Sequence, residues 1–151
     1  MSRELSAERR YGHGPALGIC DVDQFKKIND TLGHQVGDEV LCELVRLIEG
    51  TLRGHDVLGR HGGDEFVVLT DHTGDDAAVI PYERARAVVA GNPIPTRAGD
   101  VSITISFGVA TWRVGESEDD LLAAADAALY RAKEGGRNRV CLGGEMIPPS
   151  T

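Results

Sequence analysis

A glycine pair set between two apolar runs places the tightest limit on how this chain can fold. Val57-Leu58 and Phe66-Val67-Val68-Leu69 flank Arg60-His61-Gly62-Gly63-Asp64-Glu65. Gly-Gly at a two-residue hairpin supplies the positive φ that such turns demand, so residues 56–60 and 65–70 are expected to pair as antiparallel strands. Asp64 and Glu65 follow the glycines directly and pack poorly in a buried strand. Carboxylates there suit a divalent metal or acid/base work at the exposed end of a sheet. A second acidic pair, Asp21 and Asp23, closes the apolar run Ala16-Leu17-Gly18-Ile19-Cys20.

That run reads as a central strand covered on one or both faces. A short helical stretch over 24–32 follows and breaks at Gly33-His34. Residues 38–53 form an amphipathic helix with Leu41, Leu44, Val45, Ile48 and Leu52 on one face. After the hairpin, a weaker helix over 82–90 stops at Gly91-Asn92-Pro93. Residues 101–110 alternate apolar and small or polar side chains, the period of a strand with one buried face. Ser117-Glu118-Asp119-Asp120 opens an Ala-rich helix over 120–133 as a capping box, with Leu121, Leu122, Ala125 and Leu129 inward and Gly135-Gly136 at its end. Residues 139–142 are a last strand. The order β-α-α-β-β-α-β-α-β predicts one α/β (α+β) domain, a two-layer sandwich of helices on a mainly antiparallel sheet.

A chain of 151 residues, 41% apolar and 26% charged, is long enough for one real core. With 16 basic against 24 acidic residues the net charge is −8. That balance argues against nonspecific nucleic-acid binding and against an anionic membrane, while leaving room for a small anion held by a few placed cations. Cys20, Cys42 and Cys141 are too scattered for a disulfide framework or a zinc site, which points to a reducing, cytoplasmic setting. No apolar run is long enough to span a bilayer, and the start lacks the apolar core of a signal peptide.

If the strand ending at Asp21 lies beside the hairpin, Asp21, Asp23, Asp64 and Glu65 converge at one sheet end. Clustered carboxylates repel and call for a cation, and Mg²⁺ prefers oxygen ligands. Taken singly, each cluster is better read as a helix cap and a hairpin turn; together they favour a metal site for phosphoryl transfer. Lys133 and Arg137 are two cations for polyphosphate oxygens, or else a basic helix terminus answering the dipole. Lys26 and Lys27 stand where first-turn amides and an ammonium would hold phosphate, although a solvated helix face is the simpler reading of that pair alone.

Four motifs then carry a resemblance. They are Asp21-Val22-Asp23-Gln24-Phe25-Lys26-Lys27-Ile28-Asn29-Asp30-Thr31-Leu32-Gly33-His34 with Gly37-Asp38; Arg60 to Phe66; Ser106-Phe107-Gly108-Val109-Ala110; and Ala125 to Lys133 through Gly136-Arg137-Asn138. In order and spacing, over about residues 9–142, the chain resembles the GGDEF-domain diguanylate cyclases. The resemblance implies a ferredoxin-like palm domain similar to nucleotidyl cyclases and polymerase palms. It implies condensation of two GTP into cyclic di-GMP with release of pyrophosphate, by a two-metal-type reaction at a homodimer interface. Asp21, the Val22 carbonyl, Asp64 and Glu65 would hold Mg²⁺ (or Mn²⁺), with Glu65 and Asp64 catalytic and Glu65 helping to deprotonate the 3′-hydroxyl. Phe25 and Lys26 would meet the triphosphate, with Lys133 and Arg137 on its outer oxygens. Asn29 and Asp38 would read guanine, since a carboxylate accepts from both N1–H and the N2 amine. Arg53 and Asp56 match the family's inhibitory site for its product; their simpler reading is a helix-terminal arginine paired with a strand-start aspartate.

The family's usual Asp-x-Leu-Thr-like turn is not found ahead of Ala16, and residues 6–11 read as only the end of the helix that accompanies it. Residues 1–8 are therefore expected to be a remnant or flexible, 9–142 an N-terminally short GGDEF domain with reduced closure over its substrate, and 143–151 a flexible tail. A sensor or receiver module that drives pairing is an expected absent partner. The alternative to an enzyme is a noncatalytic or truncated module that binds GTP or cyclic di-GMP and signals to a partner.

Overall fold

The computed structural model describes residues 14–71 and 75–143. Strand β1 (Pro15–Val22) is buried along its whole length because it is the middle of a five-stranded sheet in the order β2-β3-β1-β6-β7. Strands β2 (Val57–Gly62) and β3 (Glu65–Asp71) are the expected hairpin. Its turn falls on Gly63-Asp64, and Gly62 and Gly63 have φ of 151° and 50°. β6 (Ile105–Thr111) runs antiparallel to β1, and β7 (Val140–Leu142) adds parallel to β6. The sheet is mainly antiparallel with flanking helices, as the pattern predicted.

Helices cover both faces, so the sheet lies between two helical layers where the element order implied one. On one, α2 (His34–Glu49) and α4 (Ile80–Ala90) pack over Ala16, Cys20, Phe66, Val68, Phe107 and Val109. On the other, α5 (Glu118–Glu134) sets Leu121, Ala125 and Leu129 against Leu17, Ile19 and Ala110. Gly108 is what lets α5 sit so close, because a Cβ there would collide with the backbone of Ala125 and Leu129. The Ser117 hydroxyl accepts from the Asp120 amide and the Asp120 carboxylate accepts from the Ser117 amide, so the predicted capping box starts α5. Between β1 and α2 lies α1 (Phe25–Leu32), separated from α2 by Gly33 alone. Glycine is needed at that joint, where φ is 95°.

Two further expectations change. The strand over 101–110 is broken: β5 (Gly99–Val101) pairs with β4 (Ile94–Thr96) in a small separate hairpin, and residues 102–104 leave strand geometry before β6 begins. Every residue of β6 is buried, because α5 covers the face on which Ser106 and Gly108 lie. The polar-looking half of the alternation is therefore a close-packing face and not a solvated one. The amphipathic helix also begins and ends four residues before its predicted bounds, since Gly33 starts it and Gly50 stops it. A short α3 (Asp75–Ala78) precedes α4. The predicted end segments 1–8 and 144–151 lie outside the described residues.

Candidate active site

The register of the sheet assembles the acids. Asp21 is paired across the ladder with Glu65 on β3 and with Ser106 on β6. Directly opposed residues of antiparallel strands project from the same face, here the face covered by α5. The last turn of α5 brings Lys133 to that point, and its ammonium lies 2.5 Å from Asp21 Oδ2. The other oxygen, Oδ1, is buried with no hydrogen-bond partner. Burial pushes the Asp21 carboxyl above the ordinary carboxylate range, and the charges of Asp64 and Asp23 add to this against the pull of Lys133. For Lys133, partial burial opposes the charge, yet the bond to Asp21 and the fields of Asp21, Asp64 and Glu65 raise it above an ordinary lysine.

An ammonium thus sits where repelling carboxylates call for a cation. Among the described residues no three His, Cys, Asp or Glu side chains are gathered as a ready cage. The donor set nonetheless fits a hard divalent ion: all its ligating atoms are oxygens, and a buried one on Asp21 is unpartnered. Glu65 is held aside by His61, whose Nδ1 lies 2.6 Å from Oε1. Arg60 donates from Nε to the Gly63 carbonyl at 2.9 Å and stiffens the turn that carries Asp64. Val22 ends β1 opposite Ile105.

Asp23 departs from the expected cluster. Its carboxylate accepts from Thr104 Oγ1 at 2.6 Å, Ser106 Oγ at 2.7 Å and the Asn138 amide at 3.0 Å. Neither Asp21 nor Asp23 caps α1, whose N-cap is Gln24, without a side-chain bond. The first-turn amides of α1, at Phe25 and Lys26, have no intrahelical acceptor, an arrangement that suits an anion. Lys26 does not join the convergent side chains; its ammonium pairs with Asp30 at 2.9 Å on the exposed face of α1.

Asn29 is brought against Gly37, the neighbour of Asp38 in the chain, by α1 packing on α2. Gly37 makes this possible, because a Cβ there would strike the Asn29 amide. Asn29 Oδ1 is buried without a partner. Asp38 edges a cavity of about 540 Å³ walled by Leu41, Val45, Leu58, Arg60 and Phe66. Arg137, in the loop after α5, is exposed, with φ of 65°. It lines a second cavity of about 550 Å³ with Lys27, Thr104 and Asn138.

Arg53 and Asp56 stand apart from these groups, between α2 and β2. Asp56 Oδ2 accepts from the Arg53 amide at 2.9 Å, leaving the guanidinium outward. Together they line a cavity of about 380 Å³ with Arg84 and Pro81 of α4. Arg84, which also donates to the Thr51 carbonyl at 3.2 Å, is a residue that sequence reasoning missed. Nothing in its local pattern distinguishes it from a helix-surface arginine; only the packing of α4 against the end of α2 reveals it.

Comparison with known proteins follows the same lines. Residues 1–139 match the family model described as "Diguanylate cyclase, GGDEF domain". The chain is 46% identical over 125 residues to diguanylate cyclase DgcM of Escherichia coli, covering 83% of this chain and 30% of that protein. The GGDEF domain of PA1120 (YfiN or TpbB) from Pseudomonas aeruginosa superposes with a TM-score of 0.90 at 34% identity, covering 96% of this chain and 91% of that one. The GGDEF domain of DgcB from Caulobacter crescentus, solved in complex with c-di-GMP, gives 0.85 at 34% identity, covering 93% and 84%. This chain spans well under half the length of the curated relatives it matches.

Proposed function

Since the chain belongs to the GGDEF-domain family of diguanylate cyclases, we propose that it condenses two GTP into cyclic di-GMP, and that the end of β1 holds the reacting phosphate. The observation that carries this reading is the Asp21–Lys133 pair, with one buried Asp21 oxygen unpartnered, beside Asp64 and Glu65. Asp21, the Val22 carbonyl, Asp64 and Glu65 would hold Mg²⁺ or Mn²⁺. When bound, the ion would polarise the α-phosphate and stabilise the charge that builds on the leaving group.

The chain's own residues supply the rest. Glu65, released from His61, accepts the proton of the 3′-hydroxyl, whose oxygen bonds to the α-phosphorus of the other GTP as the bond to pyrophosphate breaks. The same exchange in the opposite sense closes the ring, so two pyrophosphates leave. Lys133 and Arg137 take the outer phosphate oxygens, and the open amides at Phe25 and Lys26 offer further donors. Lys26 itself contributes only by giving up Asp30. Asn29 Oδ1 and the Asp38 carboxylate accept from the guanine N1–H and N2 amine. Adenine lacks donors in those positions, so its nucleotide would leave the buried Asn29 oxygen unpaired.

One site holds one GTP, so catalysis needs two protomers facing each other, and turnover per protomer should climb with protein concentration. Arg53, Asp56 and Arg84 form a cationic corner suited to guanine edges and phosphates of the product, the basis for product inhibition. The same reading places the protein in the cytoplasm, where GTP is, with a sensor or receiver module controlling the pairing. Among the described residues no helix is long and apolar enough to cross a membrane.

Incubation with GTP and Mg²⁺ across a dilution series, with chromatographic detection of cyclic di-GMP, tests the proposal. Product that vanishes in Glu65→Gln supports it. A folded chain that forms none at high concentration, yet binds cyclic di-GMP through Arg53, would instead make it a receptor.

A further inference from the structure

We propose that Asp23 is a positioning residue for the triphosphate cations, an inference that rests on the GTP-condensing reading of the same site. Its place in the sequence, two residues after Asp21, would enrol it among the metal ligands. The structure gives both its oxygens other work. Oδ1 accepts from Ser106, while Oδ2 accepts from Thr104 and from the Asn138 amide. The Asp23 amide donates to the Thr104 carbonyl at 2.9 Å. A carboxylate ringed by donors has little left for a cation.

What these bonds hold is unusual backbone. Among the described residues, the non-glycine positions with positive φ are Gln24 (57°), Arg137 (65°) and Asn138 (48°). Gln24 follows Asp23 in the chain, Asn138 is bonded to it, and Arg137 adjoins Asn138. Asn adopts this region readily, but Gln and Arg seldom do, and the surroundings hold them there. The Asn138 side chain is fixed as well, accepting from Arg86 Nη1 at 2.7 Å, while Arg86 is itself bonded to Glu83. The Arg137 amide donates to the Ala132 carbonyl, one residue before Lys133.

Asp23 therefore clasps the end of β1, which carries Asp21, to the loop that carries Arg137 and closes the helix of Lys133. The clasp sets the spacing between the carboxylate at the reacting phosphate and the cations on the outer phosphates. Catalysis depends on such spacing to within fractions of an ångström.

The test compares Asp23→Asn, which turns an amide donor toward the Thr104 or Asn138 donors, with Thr104→Val, which leaves the carboxylate in place. In nucleotide-free protein, the Asn138 amide should exchange with solvent about tenfold faster in both variants. A non-hydrolysable GTP analogue should bind Asp23→Asn about tenfold more weakly. Cyclic di-GMP binding at Arg53 and Asp56, and the Mg²⁺ concentration for half-maximal turnover, should stay unchanged. Combined with Arg137→Ala, Asp23→Asn should add little further loss, because both act through one loop. Unchanged Asn138 exchange, additive losses, equal weakening at both nucleotide sites, or a raised Mg²⁺ requirement with analogue affinity preserved would each overturn the proposal. If the unmutated protein fails to bind the analogue, the positioning role falls together with the GTP reading. The exchange measurement then still decides the clasp by itself.

Discussion

The end of β1 and the clasp beside it are built from the same chemistry and treat it in opposite ways. Asp21 lies at the last rungs of the β1 ladder and Asp23 just beyond its end, two positions apart. One carboxylate is buried with an oxygen unpartnered and a single ammonium against it; the other accepts from Thr104, Ser106 and Asn138. Unsatisfied burial costs free energy and persists where a ligand is to complete it. Full satisfaction rigidifies and leaves nothing for a ligand. An open acceptor and a saturated one are thus separated by one residue, and the hydrogen-bond inventory, not residue type, tells them apart.

The sharpest break in that comparison should come from Glu65→Gln. It keeps the shape of the proposed reactive end while removing its proposed base, and product formation should fall about 10²–10⁴-fold by chromatographic assay, with folding intact by circular dichroism. Asp23→Ala attacks the other side. Leaving the Thr104 and Ser106 hydroxyls without their acceptor, and the Asn138 amide with Ser106 Oγ alone, should cost about 2 kcal/mol of stability, less where water reaches them, as read from the urea midpoint. A loss under about 0.5 kcal/mol would mean the clasp is ornamental.

Asp21→Asn should do the reverse, and so sharpen the contrast. Burial has raised the Asp21 carboxyl, so at neutral pH its ionised form opposes folding. Removing that charge while loosening Lys133 should leave stability within about 1 kcal/mol of the parent, although turnover is lost. The smallest effect belongs to the outer anchor of the clasp. Bonding to Arg86 holds the Glu83 carboxyl below the usual range. Its contribution is present above the unfolded carboxylate range and lost as pH falls through the lowered folded value. At an exposed pair this is worth less than about 0.5 kcal/mol, visible as a slightly smaller acid-induced drop in melting temperature for Glu83→Gln.

Periodicity made the major elements legible. The hairpin glycines, the capping box at Ser117 and the apolar runs of β1 and α2 are local signals, and each element formed, with α2 shifted four residues and the hairpin turn one residue from where the pattern put them. The strand over 101–110 was misread because alternation predicts extended backbone and not which strand it joins; the β4–β5 pairing ends one segment and β1 begins the next. Burial of the Gly108 face is likewise invisible locally, being set by α5 from seventeen or more residues away along the chain.

For the site, the identity of the acids, the glycines that shape their turns and the family itself were written in the order of residues, because backbone geometry and ligand chemistry depend on side-chain type and near spacing. Which acid would react and which would bind the fold together was not. That choice rests on donors brought from Thr104, Ser106 and Asn138, and on Lys133 reaching Asp21 from the end of α5. Arg84 joined Arg53 and Asp56 by the same route, through α4 packing beside them. Hydrogen bonds and charge pairs act over a few ångströms of space, and only tertiary structure decides which distant residues come within them.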